Sequence, residues 1–189
     1  MLNLPQLIGI HGPADGGKDT IGNYIIACYH DNFLRYAFAK PIKEACKIMF
    51  GFTHVQMEDR ILKEQDDEFW GFSPRRAFQL LGTEYGRNLL RKDIWIKRAE
   101  MEVNNNLKFN RGTIITDVRF QNEADWVREQ PNSMLIYIRV PNLIRDEKYN
   151  HSSEAGINLL GTDKLVINDK SLGINNLYNQ VDKIFKELK

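Results

Sequence analysis

The sequence predicts an α/β fold, a five-stranded parallel sheet with helices on both faces, and two observations predict it. Short apolar, β-branched runs recur at Gln6–Ile10, Phe33–Phe38, Thr113–Thr116, Met134–Val140 and Leu165–Ile167. Several are near-continuous apolar segments, which suits strands buried on both faces of a parallel sheet. Between the runs lie segments of helical period, and strand–helix alternation of this kind closes through crossover connections. The 189 residues suit one domain of ordinary size. No repeat, low-complexity tract or linker divides them, so one domain over 1–189 is the economical reading.

The first strand runs into Gly12-Pro13-Ala14-Asp15-Gly16-Gly17-Lys18-Asp19-Thr20, and a helical pattern of Ile21, Tyr24, Ile25 and Cys28 follows. Gly12, four residues, then Gly17-Lys18 is the Walker A spacing, between a strand and a helix as that motif requires. Glycines let successive backbone N–H groups turn toward one anion, and the helix N-terminus adds its positive end. Lys18 then reaches the β- and γ-phosphates. The usual hydroxyl residue after the lysine is Asp19 here, with Thr20 one place later. A carboxylate so close to phosphates repels them unless Mg²⁺ or a basic residue intervenes. Asp19 is therefore expected to contact the metal, directly or through water, and Thr20 a phosphate oxygen.

After the second strand, Pro41 occupies the first turn of a helix with apolar positions Ile42, Ala45, Cys46, Met49 and Phe50, and Gly51 ends it. Thr53 and Gln56 have capping-box spacing. Ser73-Pro74 starts a helix whose buried face is Ala77, Phe78, Leu80 and Leu81, and Asp93 caps another through about Val103. The stretch of about 40–111 is thus a mostly helical insert. It is rich in Trp70, Phe72, Arg75, Arg76, Gln79, Tyr85, Arg87 and Arg91. Arg75 and Gln79, four apart, share one helix face, suited to a phosphate and a base edge. The alternative is that Arg76 and Arg91 are solvated surface charges.

The third strand leads into Asp117-Val118-Arg119-Phe120-Gln121-Asn122-Glu123. Ligands gather at the carboxyl ends of strands in open parallel sheets. Asp117 there can hold a Mg²⁺-bound water if this strand lies beside the first, and Arg119 can clamp a phosphate. Asp117 as a helix cap is the competing role. Past the fourth strand, Arg139 and Arg145 suit a lid over about 139–154 that neutralises transition-state charge. The last helix carries Leu177, Val181, Ile184, Phe185 and Leu188 on one stripe.

Composition narrows the function classes. Lys plus Arg total 26 against 25 Asp plus Glu, a formal charge of +1. A protein devoted to a nucleic-acid backbone would show a basic excess, so no nucleic-acid partner is expected. No apolar run approaches the roughly 18 residues of a membrane span. Two cysteines and no secretory h-region point to a reduced cytoplasm. The histidines and cysteines lack metal-ligand spacing, so Mg²⁺ would arrive with a nucleotide. Exposed faces of Trp126 and the last helix are candidates for a homodimer contact.

Taken together, Gly17-Lys18-Asp19-Thr20, Ala39-Lys40-Pro41-Ile42-Lys43, Arg76 through Arg87, Asp93-Ile94-Trp95, Thr116-Asp117-Val118-Arg119-Phe120 with Asn122-Glu123, and His151-Ser152-Ser153-Glu154 resemble the phage-type deoxynucleoside monophosphate kinases. The matches run in order over nearly the whole chain, and Asp after the loop lysine belongs to that pattern. The resemblance implies the P-loop NTPase three-layer fold with a helical monophosphate-binding insert and a lid. It implies ATP as donor, Mg²⁺, a deoxynucleoside monophosphate acceptor, and nucleotide supply for viral DNA synthesis in an infected bacterium. Gly12, Asp15, Gly16, Gly17, Lys18, Asp19, Thr20 and Arg139 are expected at the donor site. Asn168 resembles the turn that holds the donor adenine. Lys40, Lys43, Arg75, Arg76, Gln79, Arg87, Trp95 and Glu154 fall to the acceptor, and Lys18, Asp117, Arg119 and Arg145 to catalysis. A kinase of the dephospho-coenzyme A or phosphomevalonate type, a nucleotide-binding regulator and a nucleic-acid end kinase are the rival readings.

Overall fold

Parallel pairing of the apolar runs builds one five-stranded sheet in the order β2-β3-β1-β4-β5 in the computed structural model, which describes residues 4–29, 32–141 and 156–188. The strands are β1 (Leu7–His11), β2 (Phe33–Tyr36), β3 (Gly112–Val118), β4 (Ser133–Arg139) and β5 (Lys164–Ile167). Each lies within two residues of its expected place. Arg145, Glu154 and most of the expected lid lie outside the described residues. The chain divides into two units, 1–37 with 99–189, and Phe38–Arg98.

In the first unit the sheet is covered on both faces. Helix α1 (Lys18–Cys28) and helix α7 (Gly173–Lys186) lay Ile21, Ile25, Leu177, Val181, Ile184 and Phe185 against Ile8, Ile10, Ile114, Ile136 and Ile138. Gly22 permits this approach: a Cβ there would stand 2.6 Å from the Thr116 methyl. The other face takes α6 (Gln121–Glu129), whose Val127 meets β1 at Gly9, and the end of α5 (Ile94–Lys108), where Asn106 donates to the Thr113 hydroxyl at 3.0 Å. Outside the sheet, Arg128 on α6 donates to both carboxylate oxygens of Asp163, at 3.0 and 2.7 Å, and to the Asn158 carbonyl at 2.8 Å. This ties α6 to the segment entering β5.

The second unit is helical: α2 (Lys40–Phe50), α3 (His54–Glu58), α4 (Pro74–Gln79) and the start of α5. Thr53 forms the expected capping box, and Ser73 caps α4. Its core is Ile42, Cys46, Phe52, Met57 and Ala77, with Phe50, Phe72 and Trp95 packed on it. Trp70 and Phe72 therefore belong to an aromatic cluster with Phe50, and the Trp70 indole donates to the Phe50 carbonyl at 2.9 Å.

Two expectations fail here. Met49 and Leu80, placed on buried stripes, are exposed. The reason at Leu80 is a change of helical pitch: from Leu80 to Leu90 the chain winds as a π-helix, ending with Arg91 N–H bonded to the Gly86 carbonyl five residues back. Buried positions run Ser73-Pro74, Ala77, Gly82-Thr83 and Gly86-Arg87. The step of five between Ala77 and Gly82 turns Leu80 outward. Such wide turns are rare and concentrate at functional sites.

Burial pushes the Cys46 thiol up to about 11, whereas Cys28 is exposed. The thiolate is the reactive form, so a disulfide reagent at pH 8 is expected to titrate one thiol in the native chain and both in guanidinium. Two rapid native equivalents would contradict this packing.

Candidate active site

Strand order places the β1 and β3 ends at the middle of the sheet, where connections leave in opposite directions and ligand crevices form. From β1 the chain turns through Gly12–Gly17 into α1. Gly17 caps that helix at φ 95°, a left-handed conformation that suits glycine, and a Cβ there would also stand 2.9 Å from Asn168 Nδ2. Asp15 also takes positive φ, at 56°. A helix of eleven residues thus presents its N-terminus at the loop. Lys18 folds back over the loop, its Nζ donating to the Gly12 carbonyl at 2.9 Å and the Pro13 carbonyl at 2.6 Å. Asn168, after β5, donates its side-chain N–H to the Gly16 carbonyl at 2.9 Å. Its side chain is thereby engaged in holding the loop.

Strand β3 does lie beside β1, the condition on which the placing of Asp117 depended. Its register slips: Gly9 pairs with Ile115 but His11 with Val118, so Thr116 and Asp117 together oppose Ile10. This bulge sits level with the residues entering the loop, and bulges re-aim side chains next to active sites. Asp117 is thus within β3, one residue before its end, rather than following it. Beyond it, buried Glu123 accepts from the backbone N–H of Arg119 at 2.9 Å and of Phe120 at 3.0 Å. That carboxylate fixes the turn carrying Arg119. Glu123 stood in the quoted motif without a role, although its N3 position in the first turn of α6 is a capping signal.

Arg35 on β2 is a residue that the sequence patterns did not single out. Its guanidinium pairs with the Asp19 carboxylate and donates to Asn23 Oδ1 at 3.0 Å and the Thr116 hydroxyl at 3.2 Å. A lone arginine inside the apolar run Phe33-Leu34-Arg35-Tyr36 was the available signal. Among the described residues no three His, Cys, Asp or Glu side chains cluster as a metal cage. Mg²⁺ keeps several waters and binds through one or two carboxylates plus substrate phosphates, so it does not require such a cage.

In the helical unit, Lys43 donates to both Glu58 oxygens at 2.7 and 2.8 Å, and Arg75 to Glu64 at 3.0 Å. Burial pushes the Lys63 ammonium below its usual range, and the neighbouring cations Arg75, Lys43 and Arg60 push the same way. Lys43, Lys63 and Arg75 therefore form one basic neighbourhood, of which sequence reasoning found Lys43 and Arg75. Arg75 and Gln79 are half-buried, Arg76 and Lys40 are exposed, and Arg87 is buried in the π-helix. Trp95 packs on that helix: its indole donates to the Gly82 carbonyl at 2.7 Å, and a Cβ at Gly86 would strike its ring at 2.7 Å.

Comparison with known proteins follows the same outline. Residues 50–181 match the family profile described as deoxynucleotide monophosphate kinase. The chain is 28% identical to the deoxynucleoside-5'-monophosphate kinase of Escherichia phage T5, over 94% of this chain and 95% of that one. It is 30% identical to an Acanthamoeba polyphaga mimivirus protein provisionally named a deoxynucleotide monophosphate kinase, over 93% of each. No helix among the described residues is long and apolar enough to cross a membrane.

Proposed function

Because the chain belongs to the deoxynucleotide monophosphate kinase family, we propose that it transfers the γ-phosphoryl group of ATP to a deoxynucleoside monophosphate, giving the diphosphate. The observation that carries this reading is the strand–loop–helix turn ending in Gly17-Lys18, at the same sheet end as the bulged Asp117 segment. The acceptor phosphate, with a second pKa of about 6, is largely dianionic at neutral pH and needs no general base. What remains is positioning and charge neutralisation.

The chain's residues divide that work. The loop amides of Gly12–Gly17 and the α1 N-terminus hold the donor phosphates, and Lys18 exchanges its carbonyl partners for the β- and γ-oxygens. Asp19 and Asp117 would hold a magnesium ion, which would supply positive charge to shield the phosphates. Thr20 bonds a phosphate oxygen. Arg119, on the turn braced by Glu123, clamps the transferring group. Lys43, Arg75, Arg76, Gln79 and Arg87, joined by Lys63, receive the acceptor. Lys43 and Arg75 then trade their carboxylate partners for phosphate. Arg139, the last residue of β4, and Arg145 supply further positive charge to the phosphates. The product would feed viral DNA synthesis in the cytoplasm of an infected host.

The test is a coupled ADP-release assay with Mg-ATP against the four common deoxynucleoside monophosphates, their ribose counterparts and dephospho-coenzyme A. Selective turnover with one or more deoxynucleotides is expected. Turnover with dephospho-coenzyme A alone would move the chain to another acceptor class.

A further inference from the structure

An acid next to the phosphate-loop lysine poses a charge problem, and the fold holds an answer on β2. Arg35 is the exposed position of a strand otherwise closed by Phe33 and Tyr36. A charge on an edge strand is commonly only a guard against strand pairing. Here the guanidinium instead meets three acceptors from two other elements. Asp19 and Asn23 stand four apart on one face of α1, and Thr116 stands at the bulge of β3 beside Asp117.

We infer that Arg35 is a positioning residue that neutralises Asp19 and holds its carboxylate against β3, so that the loop accepts phosphates before any metal compensates their charge. This rests on the phosphate-binding reading of the loop given above. Stability does not account for the arrangement. The Asp19 side chain is 69% exposed and that of Arg35 38%, and ion pairs so open to water stabilise a fold little. Their effect on a polyanion at the loop is larger, because an unpaired carboxylate would act on several phosphate charges at short range. One guanidinium nitrogen serves Asn23, and the other serves Asp19 and Thr116.

Calorimetric titration of the full chain with ATP, in EDTA and again with Mg²⁺, tests the inference through a mutant cycle. Arg35→Met is expected to weaken metal-free ATP binding about tenfold, or about 1.4 kcal/mol. Adding Asp19→Asn should bring it back to within about threefold of wild type, and the charge-keeping Arg35→Lys should by itself stay within that range. With Mg²⁺ the Arg35→Met loss should shrink, and its melting temperature should stay within about 3 °C of wild type.

A loss that Asp19→Asn leaves unrelieved would make Arg35 a direct contact or a mere structural prop, and would overturn the inference. So would unchanged binding by Arg35→Met, or wild-type binding that appears only with Mg²⁺. Should Arg35→Met misfold, Arg35→Lys still decides, because a tenfold loss there contradicts a role carried by charge. Wild-type protein that takes up no ATP with or without Mg²⁺ would instead remove the phosphate-loop reading itself.

Discussion

Lys18→Ala is expected to lower turnover by about 10²–10³-fold, the range found when one preorganised donor is removed from a developing charge. The fold should survive, because the Lys18 ammonium donates to the loop carbonyls of Gly12 and Pro13 and lies outside the apolar core. Loss of those bonds leaves two carbonyls at the mouth of the loop, where water can replace the ammonium. Steady-state ADP release with an unchanged circular-dichroism melt is the measurement. Retention of wild-type turnover would refute the assignment of this loop to the donor. The lost interaction strengthens as charge develops, so kcat should fall more than KM rises.

The largest expected stability effect lies away from the site, at Asp163. Its side chain is 1% exposed and takes two hydrogen bonds from Arg128, itself 12% exposed. Asp163 also accepts from the Leu160 backbone N–H at 2.7 Å, so one carboxylate organises the turn entering β5. The Asp163 hydrogen bonds hold the Arg128 guanidinium above its usual range, against the opposing effect of burial. Asp163→Ala leaves that guanidinium short of its main partner, which costs about 3–5 kcal/mol for a buried pair. At this chain length the melting temperature should drop by roughly 10 °C. Arg128→Met with Asp163→Leu should cost less, because it removes both charges together. A drop of under about 2 °C for Asp163→Ala would mean that the pair is well solvated.

Much of the site was legible because its signals are local. The glycines, Lys18 and Asp19 stand within one loop, and the requirement for φ > 0 at Gly17 is a property of that residue and its neighbours. Asp117 and Arg119 come at the end of a short β-branched run, which announces a buried strand and therefore its ligand-bearing end. Trp95 was legible only as part of a motif. Its packing against Gly82 and Gly86 depends on the pitch of the π-helix, which apolar spacing at 3.6 residues cannot express. The same wide turn is why Leu80 was placed on the wrong face.

The sequence by itself determined the α/β class, the five strands to within two residues, the glycine-rich turn into α1 and the ordered motifs that led to the family. Each depends on residues close together in the chain, where periodicity, capping and glycine tolerance act. Tertiary structure alone decided the partners. Arg35 reaches Asp19 from 16 residues away and Thr116 from 81 away. Asn168 reaches the Gly16 carbonyl from 152 residues away, and Arg128 reaches Asp163 from 35. Those pairings follow from strand order and from one bulge in β3. Register between distant strands is set by packing the whole core, and no local pattern encodes it.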